Sequence, residues 1–295
     1  MRLVTYERAG GLAGGFLRGE EIVPFAALDG PATVREFIGG EPARRDELAA
    51  RAAGFDGETV AVDSTRLGPP ITNPEKILCI GLNYRDHAAE TGMDAPSSPI
   101  VFAKFANSLI GPADEVVVPP PGAEIDYEAE LAVVIGDRCS RLSAEEAIDH
   151  VFGAMAFNDV SARNLQMATS QWTMGKAIDT FAPCGPALVS LDEVGDLQDL
   201  RVGCSVNGEV VQDGHTSSMI FPIAETIAYI SSVMTLEPGD VIATGTPAGV
   251  GMGRKPPIEL EAGDVVEVEV ERIGGLRNKI VAEAAVDATA AAGAR

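Results

Sequence analysis

Two glutamates, Glu128 and Glu130, are separated by a single residue in a largely apolar stretch of the sequence. The stretch from Asp126 to Gly136 is rich in aliphatic residues and ends at a glycine, which predicts a strand. Successive strand residues point to opposite faces, so both carboxylates project from one face. Adjacent carboxylates repel each other unless a cation lies between them, which makes the pair a candidate site for a hard divalent metal ion. An edge strand with one hydrated face is the alternative interpretation.

A third carboxylate, Asp159, follows the apolar run 153–157, where a predicted strand ends. With Glu128 and Glu130 it would complete three oxygen ligands and leave positions open for water or substrate. Catalytic Mg²⁺ and Mn²⁺ sites are commonly built in this way. The alternative is that Asp159 caps a short helix at residues 161–166.

Further charged residues could act on a substrate near such a site. His87 and Glu90 are three residues apart, so on a helix the carboxylate can reach the imidazole and make it a better base. Lys176, which has apolar neighbours, could bind a substrate carboxylate, as could Arg163 together with Gln166 one helical turn later. The alternative for each group is an ordinary solvated surface.

A glycine-rich segment, residues 245–253, follows the apolar run 241–244. It matches neither of the glycine motifs that bind nucleotide phosphates, so we do not expect nucleotide binding. Its backbone N–H groups suit an anion better. The sequence also lacks G-x-S-x-G, so a serine nucleophile of the α/β-hydrolase type has no support.

The composition of the chain excludes several classes of partner and location. The chain has 295 residues, 46% of them apolar, and a formal net charge of −22, which argues against nucleic acid and anionic membranes as partners. No apolar run is long enough for a transmembrane helix, and the N-terminus has no signal-peptide pattern, so we expect a cytoplasmic protein. The four cysteines have no C-x-x-C spacing and are expected to be reduced and structural. They are Cys79, Cys139, Cys184 and Cys204.

The elements that must position these residues are mostly strands. Short apolar runs recur from residue 77 to residue 270, and Asn207-Gly208 predicts a hairpin turn between two of them. Helices are predicted at residues 43–53, 84–91, 144–149 and 223–233, and one glycine-rich turn is predicted at Gly10, Gly11, Gly14 and Gly15. Many strands and few helices indicate a β-rich α+β fold. We predict a small N-terminal α/β domain at residues 1–70, a catalytic domain at 71–282 and a disordered tail at 283–295.

Taken together, these segments resemble the fumarylacetoacetate hydrolase family over residues 75–281. The resemblance is closest to the short bacterial acylpyruvase-like members and the 2-hydroxyhepta-2,4-diene-1,7-dioate isomerase-like members. It rests on five motifs in the family's order: Gly81-Leu82-Asn83-Tyr84 with His87 and Glu90, Asp126-Tyr127-Glu128-Ala129-Glu130-Leu131, Asn158-Asp159-Val160-Ser161-Ala162-Arg163 with Gln166, Gly175-Lys176, and Thr244-Gly245-Thr246-Pro247 with Gly249-Val250-Gly251.

The resemblance implies a mixed β-sandwich roll and a homodimer. It implies Mg²⁺ or Mn²⁺ held by Glu128, Glu130 and Asp159. It implies that His87 and Glu90 lie on a lid and activate water. It also implies binding of a small anionic keto acid by five side chains: Tyr84, Arg163, Gln166, Lys176 and Thr246.

The leading hypothesis from the sequence is metal-dependent hydrolysis of a C–C bond in a 2,4-dioxo acid, such as fumarylpyruvate or a diketo sugar acid. A metal-stabilised enolate would leave, assisted by Lys176, after attack by water that His87 has deprotonated. The alternative is isomerisation or decarboxylation of a 2-hydroxymuconate-like or oxaloacetate-like acid at the same site. A third hypothesis is a catalytically silent protein that binds a metabolite.

Overall fold

The apolar runs of the sequence form strands that assemble into two principal sheets. A computed structural model of the chain describes residues 1–90, 92, 94–119 and 122–283. The strands are β1 (Arg2–Arg8), β2 (Gly11–Arg18), β3 (Glu21–Pro24), β4 (Val60–Ala61), β5 (Leu67–Gly68), β6 (Ile77–Gly81), β7 (Ile100–Lys104), β8 (Leu109–Ile110), β9 (Val116–Val118), β10 (Ile125–Asp126), β11 (Ala129–Ile135), β12 (Val151–Asn158), β13 (Ser161–Ala162), β14 (Ala182–Ser190), β15 (Arg201–Val206), β16 (Glu209–His215), β17 (Val241–Ala243), β18 (Val265–Val270) and β19 (Gly274–Ala282).

The α-helices are short. They are α1 (Val34–Ile38), α2 (Pro42–Ala53), α3 (Arg85–Glu90), α4 (Ala144–Ala147), α5 (Arg163–Gln166), α6 (Thr173–Lys176), α7 (Leu191–Val194) and α8 (Ile223–Ser231). The predicted β-rich α+β fold is confirmed. Within the described residues, none of these helices is long and apolar enough to cross a membrane.

The large sheet has the strand order β4-β3-β2-β1-β14-β12-β11-β17-β6-β7, and β5 and β8 pair with β1 and β14. The second sheet has the order β16-β15-β18-β19-β9 and contacts β11, β12 and β14. Strand β11 is buried on both faces: Leu131 and Val133 pack in one apolar cluster, and Ala132 and Val134 pack in the other. Burial on both sides explains why the strand is continuously apolar after Glu130.

The first 70 residues extend the large sheet, because Leu3 of β1 pairs with Leu188 of β14. Their core contains three packed aromatic rings, Phe16, Phe25 and Phe37. The division into domains at residue 70 stays a prediction. The tail predicted at residues 283–295 lies outside the described residues, apart from Glu283.

Two local predictions need correction. The glycines at 10, 11, 14 and 15 were expected to form one turn, but β2 runs from Gly11 to Arg18. A Cβ on Gly14 would lie 2.6 Å from the Phe25 ring, so glycine there permits close packing inside a strand. The second is the single strand predicted at residues 126–136. This stretch is interrupted, because β10 ends at Asp126 and β11 begins at Ala129. The Asp126 carboxylate accepts hydrogen bonds from backbone N–H groups at the break, including that of Gly251.

Candidate active site

Three buried carboxylates meet where β11 begins and β12 ends. Oxygen atoms of Glu128, Glu130 and Asp159 lie within 4.8 Å of one another. Antiparallel pairing of the two strands creates this cluster: the Asp159 N–H donates to the Glu128 carbonyl at 2.9 Å, and the Glu128 N–H donates to the Asn158 side chain at 3.0 Å. The structure therefore brings the three predicted metal ligands together. Helix α5 has no side-chain cap, so Asp159 is not a helix cap.

Two buried lysines neutralise part of this charge. Lys176 Nζ donates to Glu128 Oε2 at 2.7 Å and to Asp159 Oδ2 at 2.8 Å, while Lys104 Nζ donates to Asp159 Oδ1 at 2.6 Å. Lys104 was not among the site residues predicted from the sequence. Its signal was a lysine at the end of the apolar strand β7, where a buried lysine needs an anionic partner.

Arg163, at the start of α5, also donates hydrogen bonds to this cluster. Its Nε donates to Asp126 Oδ2 at 2.8 Å, and its Nη1 donates to Glu128 Oε1 at 2.6 Å and to Gln166 Oε1 at 3.0 Å. Its Nη2 lies 2.8 Å from Asp126 Oδ2 but, among the described residues, has no partner with hydrogen-bond geometry. That N–H group suits an anionic ligand. Asp126, which was not among the predicted site residues, also accepts a hydrogen bond from the Gly251 N–H at 2.7 Å.

The electrostatics of the cluster distinguish its carboxylates. Burial would raise the pKa of Glu128, but Lys176 and Arg163 outweigh burial and lower it to about 2. Burial, together with Asp159 and Glu128, raises the pKa of Glu130 well above its usual range. Glu130 accepts a hydrogen bond from the Gly245 N–H at 2.8 Å, but it has no cationic side chain within ion-pair distance among the described residues.

This imbalance fits a bound cation. Four buried carboxyl groups (Asp126, Glu128, Glu130 and Asp159) face three buried cations (Lys104, Arg163 and Lys176), so without a bound cation the charges balance only when Glu130 keeps its proton. An uncompensated buried charge is costly. Carboxylate oxygens are the ligands that hard divalent cations prefer. The cluster can therefore hold a divalent metal ion, as the donor set predicts.

The predicted base, His87, is paired with Glu90. His87 Nδ1 and Glu90 Oε1 are 2.9 Å apart on α3, which confirms the contact expected from their spacing. The Gly249 N–H donates to both Glu90 oxygens, at 3.0 and 2.9 Å. A Cβ on Gly253 would lie 2.8 Å from the Glu90 carboxyl carbon. The glycine-rich segment therefore positions Glu90 and leaves room for it.

A cavity connects these groups. Its polar lining comprises His87, Glu128, Arg163, Gln166, Lys176 and Thr246. The remaining lining is apolar or glycine: Ile80, Gly81, Leu82, Phe102, Met167, Trp172 and Met252. Five of the predicted catalytic and substrate-binding residues therefore face one space, and that space has a charged wall and an apolar wall.

Tyr84, predicted to bind substrate, does not line this cavity. Its side chain is fully buried, and its hydroxyl has no hydrogen-bond partner among the described residues. Burial, with Glu130 and Asp86 nearby, raises the pKa of this phenol, so it stays protonated. Thr246 does line the cavity, but its hydroxyl is held by the Ala129 carbonyl and by Gln212, at 2.8 Å each.

The fold and the site define an enzyme with a buried acidic cluster, a histidine–glutamate pair and a cavity lined by two cationic side chains, Arg163 and Lys176. The chain belongs to the fumarylacetoacetate (FAA) hydrolase family, whose C-terminal domain matches residues 76–281. This confirms the resemblance inferred from the five motifs.

Three known proteins illustrate the range of this family. The chain is 44% identical over 290 residues to "Oxaloacetate tautomerase FAHD2A, mitochondrial" from Homo sapiens, covering 95% of this chain and 92% of the relative. It is 44% identical over 257 residues to the 2,4-didehydro-3-deoxy-L-rhamnonate hydrolase of Sphingomonas sp. (strain SKA58), covering 86% and 90%. The crystal structure of 2-hydroxyhepta-2,4-diene-1,7-dioate isomerase from Mycobacterium marinum matches with a TM-score of 0.75 and 34% identity, covering 96% and 99% of the two chains.

Proposed function

We propose that this protein catalyses keto–enol tautomerisation of an oxaloacetate-like 2-oxo acid. The observation that carries the proposal is that His87, paired with Glu90, lines the same cavity as Arg163 and Lys176. A base therefore faces a wall that can fix a carboxylate. Proton transfer next to a carbonyl requires this juxtaposition. The tautomerase named above, which matches over nearly its whole length, supports this choice.

In the proposed reaction, Arg163 Nη2 and Gln166 bind the carboxylate of the 2-oxo acid and fix its orientation. His87 takes a proton from the carbon next to the keto group. Glu90 stabilises the imidazolium that forms, because its carboxylate lies 2.9 Å from Nδ1. The keto oxygen gains the negative charge and accepts the proton from the His87 imidazolium, which gives the enol and restores the neutral base. The reverse transfer gives the ketone.

We propose that Glu128, Glu130 and Asp159 hold Mg²⁺ or Mn²⁺. When bound, this ion supplies positive charge that stabilises negative charge developing on the substrate oxygens. Lys176, which donates to two of these carboxylates, orients them and adds positive charge to the same wall.

A second candidate is hydrolysis of a 2,4-dioxo acid, the leading hypothesis from the sequence. The observation that favours it is the apolar wall formed by Phe102, Met167, Trp172 and Met252. This wall suits an acyl group larger and less polar than the distal carboxylate of oxaloacetate. His87 would then deprotonate water for attack on the distal carbonyl. The hydrolase relative supports this candidate.

The two candidates differ in their products. The assay follows decay of the ultraviolet absorbance of enol-oxaloacetate, and in parallel the release of pyruvate from acylpyruvates, with Mg²⁺ and with EDTA. The proposal expects metal-dependent acceleration of enol decay that His87→Gln abolishes. Pyruvate release without accelerated enol decay would replace it with hydrolysis. Loss of CO₂ would indicate decarboxylation, and no turnover would favour a silent metabolite-binding protein.

The homodimer, the small anionic keto-acid substrate and the cytoplasmic location remain predictions. The human relative carries the word mitochondrial in its name, which describes that protein. Light scattering after size-exclusion chromatography tests the dimer directly, because one chain has a mass of 30.7 kDa.

A further inference from the structure

A second group of metal-ligating side chains lies outside the cavity. It contains Asp137, Cys139 and His150, whose ligand atoms all lie within 4.8 Å of one another. Asp137 and Cys139 follow the end of β11, and His150 immediately precedes β12. Glu130 stands near the other end of β11, seven residues before Asp137, so the two clusters are separated by about 20 Å of extended chain.

Backbone hydrogen bonds hold the three residues in place. The Gly136 N–H donates to the His150 carbonyl at 2.8 Å, which joins the two loop ends. Cys139 and Leu236 exchange two backbone hydrogen bonds, at 3.0 and 2.8 Å. These backbone hydrogen bonds place the three residues next to one another.

The surroundings of the Cys139 thiol are unusual for a buried cysteine. The thiols of Cys184 and Cys204 each lie 3.8 Å from a backbone carbonyl, as expected for structural cysteines. Cys139 is 7% exposed, yet its thiol lies beside a carboxylate and an imidazole. The hydrogen bond of 2.5 Å between His150 Nδ1 and Asp137 Oδ1 explains the position of those two residues but leaves the thiol unexplained.

We propose that Asp137, Cys139 and His150 bind one borderline-soft divalent cation, with Zn²⁺ as the best fit. Sulfur, imidazole nitrogen and carboxylate oxygen are the three ligand types that zinc accepts. Around a tetrahedral zinc ion the ligand atoms lie about 3.5 Å apart, so the longest separations must shorten by about 1 Å. Asp137 is exposed and His150 is only half-buried, so both side chains can make this movement.

Binding of a cation through Cys139 requires its thiol to lose a proton. A bound cation would displace that proton and balance the nearby carboxylates. Cysteine spacing gave no sign of zinc because two of the three ligands are not cysteines.

The proposed ion would join the loop after β11 to the start of β12. It would therefore act as a structural cross-link, separate from the carboxylate cluster that suits Mg²⁺ or Mn²⁺. The two sites differ in the softness of their ligand atoms. A thiolate selects zinc-like ions, whereas three carboxylates also accept hard ions.

The test uses Co²⁺ as a spectroscopic substitute for Zn²⁺ in the full-length protein with Mg²⁺ in excess, so that the hard site is occupied. The proposal expects a thiolate-to-cobalt charge-transfer band that saturates at one ion per chain and is displaced by Zn²⁺. Cys139→Ser must remove the band. Cys184→Ser and His215→Ala are matched controls, because His215 also lies beside a carboxylate, that of Asp199, and both variants must keep the band.

Zinc should also stabilise the fold. With Mg²⁺ present, Zn²⁺ at about 100 times its Kd should raise the Tm of the wild type by about 5 °C and leave Cys139→Ser unchanged. Absence of the charge-transfer band, its persistence in Cys139→Ser, or a Kd weaker than about 100 µM would overturn the proposal. Because Cys139 does not line the active cavity, Cys139→Ser should retain wild-type turnover, which shows that it is folded.

Discussion

Lys104 offers a sharp test of the charge balance in the active site. Its ammonium group is fully buried and donates to Asp159 at 2.6 Å and to the Val160 carbonyl at 3.0 Å. Lys104→Met keeps a long apolar stem but removes the charge, which leaves three buried carboxylates (Asp126, Glu128 and Asp159), beside the protonated Glu130, facing two cations. Removing one partner of a buried ion pair costs about 3–5 kcal/mol, because the remaining charge stays buried and unpaired. We therefore expect the free energy of unfolding to fall by about that amount.

The assay is equilibrium unfolding in guanidinium chloride at pH 7 with EDTA, so that no ion stabilises the native state. Lys279→Met on β19 is the matched control, since its side chain is exposed and its loss should change stability by less than about 0.5 kcal/mol. The double variant Lys104→Met/Asp159→Asn should recover about 2 kcal/mol relative to Lys104→Met, because it removes the uncompensated anion. A cost below about 1 kcal/mol for Lys104→Met, with no recovery in the double variant, would refute the argument.

Three further predictions concern the base and the acidic cluster. His87→Ala should lower turnover by about a hundredfold or more and leave metal affinity unchanged by calorimetry; unchanged turnover would exclude His87 as the base. Gly253→Ala should displace Glu90 and lower kcat about tenfold with little change in Tm, while Gly54→Ala, which has open space around it, should change neither; equal kcat in both variants would contradict the proposed role of the glycine. Because burial raises the pKa of Glu130, its proton is retained in the folded state and lost from the unfolded state above pH 4.5, so without metal it lowers stability as pH rises. In EDTA, wild-type stability should therefore fall from pH 5 to pH 7 relative to Glu130→Gln, by up to about 1.4 kcal/mol per pH unit; parallel curves would contradict the raised pKa.

The sequence predicted the site residues that belong to recognisable local patterns. Strand alternation singled out Glu128 and Glu130, although Glu128 lies just before β11, and helical spacing singled out His87 and Glu90, because both periodicities depend only on local geometry. The five motifs together also predicted the family correctly.

Local spacing could not reveal contacts that depend on strand order. Lys104 reaches Asp159 only because β6 and β7 extend the large sheet beside β17, and no local pattern encodes that neighbour. The bonds from Gly249 to Glu90 and from Gly251 to Asp126 have the same origin, since residues far apart in the chain meet only in the fold. Tyr84 illustrates the reverse case, because a motif residue assigned to substrate is buried away from the cavity lining.

Mass spectrometry of reaction products tests the central claim most directly. The purified protein is incubated in D₂O with oxaloacetate, fumarylpyruvate, other acylpyruvates and diketo sugar acids, with Mg²⁺ and with EDTA. The account predicts Mg²⁺-dependent deuterium incorporation at the carbon next to the keto group of at least one 2-oxo acid, above the uncatalysed rate and absent in His87→Gln. Turnover that persists in EDTA, or no exchange with any member of the panel, would contradict an active site built from these carboxylates and this base.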